Sequence, residues 1–179
     1  DINECHIQEK ICNNILNLVR TEALNNNLKP YDNKTNNGYL RHLVLRYGFN
    51  TGELMVNLVT SYENTKLLRP IIKALLNQFP NITSIVNNIN TRRADVAYGE
   101  SEIVLHGAPA IREKLGDITF EISANSFFQT NTEQAEKLFM VVEENASLTG
   151  KEIVFDLFCG TGSISLFLAR YAKEIYGFD

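Results

Sequence analysis

The sequence predicts an α+β domain with a mostly antiparallel sheet, followed by the opening βαβ of a doubly wound α/β domain. Three observations carry that prediction. Short alternating apolar segments with turn signals between them recur up to about residue 124. One hairpin signal, Gly48-Phe49-Asn50-Thr51-Gly52, joins two of them. Past residue 130 the order becomes helix, short apolar strand, glycine turn, helix, strand.

Taken in order, residues 6–24 read as an amphipathic helix. Ile7, Ile11, Ile15, Leu18 and Glu22 trace the helical spacing, and Cys12 and Val19 widen its apolar face. A polar loop from Asn25 to Gly38 follows, with Pro30 inside it. Residues 39–47 and 53–60 alternate as the two hairpin strands. Residues 67–79 read as a helix with Pro70 in its first turn, where a missing N–H is tolerated. Residues 82–89, 103–106 and 118–122 read as further strands. Asn131 or Thr132 can cap a helix over 133–146, with an acid in its first turn. Residues 153–157 form a short buried-type strand, 163–171 a helix and 174–178 the second strand. The division predicted is 1–124 for the first domain and 125–179 for an incomplete second one. A lone βαβ unit cannot make a stable open sheet. The α/β domain is therefore expected to continue past Asp179, and the abrupt start at Asp1 without Met reads as a fragment edge.

Composition narrows the function classes. Hydrophobic residues make up 44% and charged residues 21%, as in ordinary globular domains. No apolar run reaches the length of a membrane span, and no signal peptide is visible. Three cysteines, Cys5, Cys12 and Cys159, show no paired spacing, which fits a reducing cytoplasm better than a disulfide scaffold. The net charge of -4 argues against a free-standing nucleic-acid-binding domain, which is usually basic.

The stretch Asp156-Leu157-Phe158-Cys159-Gly160-Thr161-Gly162-Ser163 carries the chemistry. Glycines let the backbone turn sharply and approach a ligand closely. Asp179 ends the second strand, where a carboxylate can accept hydrogen bonds from both ribose hydroxyls of an adenosine. Dinucleotides and S-adenosylmethionine both use this logic. A dinucleotide fingerprint needs a third glycine, and that position is Ser165. A βα turn that binds nothing also fits these residues taken alone.

Asp156-Leu157-Phe158-Cys159-Gly160-Thr161-Gly162 resembles motif I of the RNA uracil-5-methyltransferases, of the 23S ribosomal RNA (uracil-5-)-methyltransferase type. Ser126-Phe127-Phe128-Gln129-Thr130-Asn131 is similar to their second signature, and the two segments are spaced as in that family. Leu40-Arg41-His42-Leu43-Val44-Leu45-Arg46, Ser84-Ile85-Val86-Asn87-Asn88-Ile89-Asn90 and Asp1-Ile2-Asn3-Glu4-Cys5 resemble its central domain. The resemblance covers essentially the whole chain.

The resemblance implies that the second domain is a Rossmann-like S-adenosylmethionine-dependent methyltransferase domain, truncated here. It implies cofactor contacts from Gln129, Phe158, Gly160, Gly162 and Ser163, with Asp179 gripping the ribose. Cys5 matches the fourth ligand of the 4Fe-4S cluster that some members carry, whose other three ligands would lie before Asp1 in the full-length protein; a small buried thiol is the competing reading. Cys159 belongs to the cofactor loop, and Cys12 reads as core. Arg41, His42 and Arg46 are candidates for RNA contact, with a solvated sheet face as the alternative. Arg92-Arg93 is a weaker case of the same kind. Alternation on the strand sets Arg41 opposite to His42 and Arg46. The implied reaction methylates uracil C5 in RNA, ribosomal rather than transfer, through a cysteine thiolate added to C6 and a base that removes the C5 proton. Nucleophile and base lie beyond Asp179 in the family, so the fragment alone is expected to be inactive. A cytoplasmic, monomeric protein is implied. The competing classes are a nucleotide-dependent oxidoreductase, a non-catalytic RNA-binding module, and a methyltransferase of another substrate.

Overall fold

The computed structural model describes residues 4–6, 8–93 and 96–179. Asp1-Ile2-Asn3 of the N-terminal motif and Ile7 of the first helix lie outside them. The chain packs as two compact units. The first runs through Tyr47 and adds Gly52–Ile111 and Ser123–Asn125; the second holds Gly48–Thr51, Arg112–Ile122 and Ser126–Asp179.

In the first unit, helix α1 (Lys10–Asn25) precedes strands β1 (Leu40–Tyr47) and β2 (Leu54–Thr60). Helix α2 (Thr65–Gln78) leads to β3 (Ser84–Ile89), and β4 (Ser101–Gly107) closes a sheet of order β1-β2-β3-β4. The outer pairs are antiparallel and β2–β3 is parallel, because α2 carries the chain back across the sheet. Mostly antiparallel is thus what the structure has. The core joins Cys12, Ile15 and Val19 of α1, Leu68, Ile71 and Leu75 of α2, and Leu54, Val56, Leu58 and Ile85 of the sheet. Each such side chain contributes about 1.5–3 kcal/mol on full burial. Burial also pushes the Cys12 thiol up to about 11, so that residue is core rather than reactive.

Three details depart from the sequence reading. Helix α2 starts at Thr65, so Pro70 sits in its second turn and leaves the Lys66 carbonyl without the usual helical N–H. Both faces of β2 and β3 are covered, polar residues included. Asn87 earns its buried place by donating to the Leu58 carbonyl and the Thr60 hydroxyl, both at 2.9 Å. A strand not anticipated, β5 (Ala110–Leu115), pairs with β6 (Ile118–Ser123). Its run Arg112-Glu113-Lys114 is wholly charged, yet Ile111, Glu113 and Leu115 are the buried face.

In the second unit, Glu113 is 1% exposed and accepts the amides of Phe49, Asn50 and Lys114 and the Thr132 hydroxyl. It ties the β1–β2 turn to the start of helix α3 (Thr132–Ala146). Asn131 caps α3, its side-chain oxygen taking the Gln134 amide at 3.0 Å. Phe139 of α3 meets Phe167 edge-on at 5.6 Å. Strand β7 (Ile153–Leu157), helix α4 (Ser163–Leu168), a 3-10 turn over Ala169–Tyr171 and β8 (Glu174–Phe178) complete the unit. Strands β7 and β8 are parallel, as the opening of a doubly wound domain requires.

Candidate cofactor-binding turn

The register of β7 and β8 sets Leu157 beside Phe178, so both strands end at the same level. Between β7 and α4 the backbone turns through three left-handed residues: Phe158 at φ 66°, Gly160 at 54° and Gly162 at 71°. Glycine adopts that region freely, whereas Phe158 does so at a steric cost of about 1–3 kcal/mol. The turn is fastened by two backbone bonds. The Cys159 amide donates to the Phe178 carbonyl at 3.0 Å, and the Gly162 amide to the Cys159 carbonyl at 2.8 Å. A Cβ built on Gly160 or Gly162 would meet nothing within 4 Å. The backbone there is open to close approach by a ligand, which is the property S-adenosylmethionine or a nucleotide needs. Phe158 is 90% exposed beside it. Asp179 follows directly on Phe178, whose carbonyl fastens the turn, and its carboxylate is exposed.

Two contacts at the turn are invisible in sequence. The Ser165 hydroxyl donates to the Asp156 carboxylate at 2.5 Å. Ser165, notable in the sequence as the missing third glycine, thus braces the acid that opens the motif. Nine residues of separation across a turn hide such a contact from any periodicity. Gly177 is the second. A Cβ there would lie 2.9 Å from the Cys159 Sγ, so the strand must be bare where the loop cysteine rests on it.

The segment before α3 is anchored by Phe128, 8% exposed and 5.3 Å from the Phe120 ring. That anchoring leaves Gln129 exposed, with Phe127 at 69%. Ser163 is half-buried at the first residue of α4.

Of the residues considered for RNA contact, two are occupied by protein carbonyls. Arg41 donates to the carbonyls of Asn90, at 2.9 Å, and of Arg92, and its guanidinium lies 4.2 Å from the Tyr31 ring centre. Arg46 donates to the Ala124 carbonyl at 3.1 Å. Burial pulls the Arg46 guanidinium below its ordinary value, with Glu102 acting in the opposite sense. His42 is half-buried on the same strand, and a register shift between Leu40 and His42 interrupts simple alternation there. Arg92 pairs with Glu100 at 2.9 Å.

Cys5 is a free, half-buried thiol whose backbone is held to α1 by the Asn13 side chain. Among the described residues no group of three or more His, Cys, Asp or Glu could hold a metal ion. Cys5 supplies one thiolate, and a four-thiolate cluster needs three more than these residues bring to it. No helix of the described residues is long and apolar enough to cross a membrane.

No protein-family model matches the chain. An uncharacterized RNA methyltransferase of Chlorobaculum tepidum is 42% identical over 180 residues, covering 100% of this chain and 37% of that protein. One of Clostridium acetobutylicum is 39% identical over 179 residues, covering 100% of this chain and 39% of its own length. The chain spans about two fifths of the length of these curated relatives. Among solved structures, the tRNA (uracil-54, C5)-methyltransferase of Pyrococcus abyssi, in complex with S-adenosyl-L-homocysteine, is similar at a TM-score of 0.78 and 32% identity. That match covers 100% of this chain and 43% of the other.

Proposed function

We propose, starting from a chain whose homologues are RNA methyltransferases, that the protein carrying it methylates uracil C5 in RNA using S-adenosylmethionine. The observation that carries this reading is the left-handed turn at Gly160 and Gly162, open at both Cβ positions, at the end of a parallel strand pair. Bound there, S-adenosylmethionine supplies the methyl group. The bare glycine backbone admits the cofactor, and Phe158 offers it a flat apolar face. Ser163 lines the pocket, and Gln129 supplies a side-chain amide. Asp179, a carboxylate with two acceptor oxygens, takes both ribose hydroxyls. Ser165 keeps the Asp156 carboxylate in one orientation as the motif opens.

Residues 1–124 form the RNA side of the protein, and 125–179 begin its methyltransferase domain. The thiolate that adds to C6 and the base that takes the C5 proton come from the rest of the catalytic domain. The target uracil is reached unpaired or flipped out, since C5 and C6 are covered in a stack. Ribosomal RNA is the substrate favoured by the motif resemblance.

The test is tritium release from RNA labelled at uracil C5, with the complete protein. Release that requires S-adenosylmethionine is expected, faster from ribosomal than from transfer RNA. A protein that binds S-adenosylmethionine yet releases no tritium from either RNA would remove the uracil-C5 assignment. Faster release from transfer RNA would reverse the substrate preference.

A further inference from the structure

The two arginines that sequence motifs offer for RNA contact hold carbonyls of their own chain. Helix α2 carries cations that do not. Its sequence, TKLLRPIIKALLNQ, contains three cations and no acid. Helix α1 mixes signs, and α3 sets Glu133, Glu136, Glu143 and Glu144 against Lys137. Leu68, Ile71 and Leu75 turn inward, which fixes the opposite face outward. Lys66, Arg69 and Lys73 are all exposed on it. Among the described residues none of the three is ion-paired. In a chain of net charge -4, this is a concentrated unneutralised stripe.

The stripe borders a groove of about 510 Å³, between α2 and the edge strand β4, lined by Thr65, Arg69, Ile72, Lys73, Leu76, Asn77 and Leu105. Arg69 and Lys73 line it together with aliphatic side chains, and Thr65 and Asn77 add hydrogen-bonding groups. Lys66 and Lys73 are seven residues apart, about 10 Å along the helix axis. That spacing suits a polyanion extended along the helix better than one compact anion.

We propose that the outer face of α2 is a phosphate-contact strip for RNA, with Lys66, Arg69 and Lys73 on successive phosphates and the groove taking sugar or an unstacked base. The assignment rests on the reading of the protein as an RNA methyltransferase. Contacts of this kind position the nucleic acid and carry no base specificity.

The test uses the complete protein and fluorescein-labelled single-stranded RNA of two unrelated sequences, titrated across a range of salt. The triple variant K66Q/R69Q/K73Q is compared with wild type, with K66R/R69K/K73R, and with the single variant K137Q on α3. The log–log salt slope should flatten by about 2, since each single-strand phosphate contact contributes about 0.7. Affinity at low salt should fall about tenfold or more, equally for both sequences. S-adenosylhomocysteine binding should stay unchanged, which also verifies the fold. The charge-retaining variant should recover the slope, and K137Q should leave it as it was. A triple variant that binds RNA with wild-type slope and affinity would overturn the strip and leave the methyltransferase reading intact. A wild type that binds no RNA, but does bind anionic vesicles or an acidic peptide through the stripe, would overturn both.

Discussion

Glu113 is a buried carboxylate in a strand whose sequence looks solvated, and its four donors explain why it is tolerated there. Glu113→Ala would orphan three amides and a hydroxyl. The expected loss is about 2–4 kcal/mol of unfolding free energy, read by urea denaturation. Ser165 belongs to the same scale. Its hydroxyl fixes Asp156, so Ser165→Ala should weaken S-adenosylhomocysteine binding about tenfold, equivalent to about 1.4 kcal/mol by calorimetry. Ser165→Thr, which keeps the hydroxyl, should bind almost as wild type. Glu152 gives a pH marker near β7. The Thr149 hydroxyl and amide, each at 2.7 Å, hold its carboxyl down to about 2. A depressed carboxyl stabilises the fold fully above its unfolded value, about 4.3, and that contribution is lost as pH falls through about 2. Carbon-detected NMR titration should find Glu152 titrating near that lower limit, and Thr149→Val should return it towards the ordinary range.

Elements add constraints that no residue shows alone. Helix α3 begins at a cap, and Asn131→Ala should cost about 1 kcal/mol by removing the acceptor for the Gln134 amide. Thermal unfolding of the variant would register it, and Asn131→Asp should restore it. Strand β8 must be bare at Gly177 because the Cys159 side chain lies over it. Gly177→Ala should displace the turn and weaken cofactor binding. Adding Cys159→Ala removes the closer contact, at 2.9 Å, and should recover most of the loss. Recovery would show coupling through that contact; an additive double variant would show that Gly177 matters for another reason.

At the scale of the whole molecule, the two units differ in how their sheets are covered. Strands β2 and β3 are buried along their entire length. Strands β7 and β8 leave Ile153, Phe155, Leu157, Tyr176 and Phe178 exposed, and the curated relatives are more than twice as long. Amides in covered central strands open only with the unit that holds them. Hydrogen exchange on this chain should therefore be slowest in β2 and β3 and much faster in β7 and β8. On the proposed reading, in which further strands of a catalytic domain extend this sheet, protection of β7 and β8 should rise in the complete protein. Equal protection of β7 and β8 in both forms would count against that extension.

The sequence by itself determined the elements whose pattern is local. Alternation, caps and helical spacing marked β1 to β3 and α1 to α3 to within a few residues, and the glycine turn after β7 was legible because glycine is needed there for φ alone. Tertiary structure decided whatever depends on a distant partner. Strand β5 was hidden because Glu113 is polar in sequence and buried only through donors from residues 49, 50 and 132. Arg41 and Arg46 look like free cations until the carbonyls of Asn90 and Ala124 meet them. The stripe on α2 became meaningful only once the fold turned Leu68, Ile71 and Leu75 inward. Local signals fix backbone conformation, because sterics and propensity act within a few residues. A polar side chain's role depends on which groups satisfy it, and only the fold brings those groups within reach.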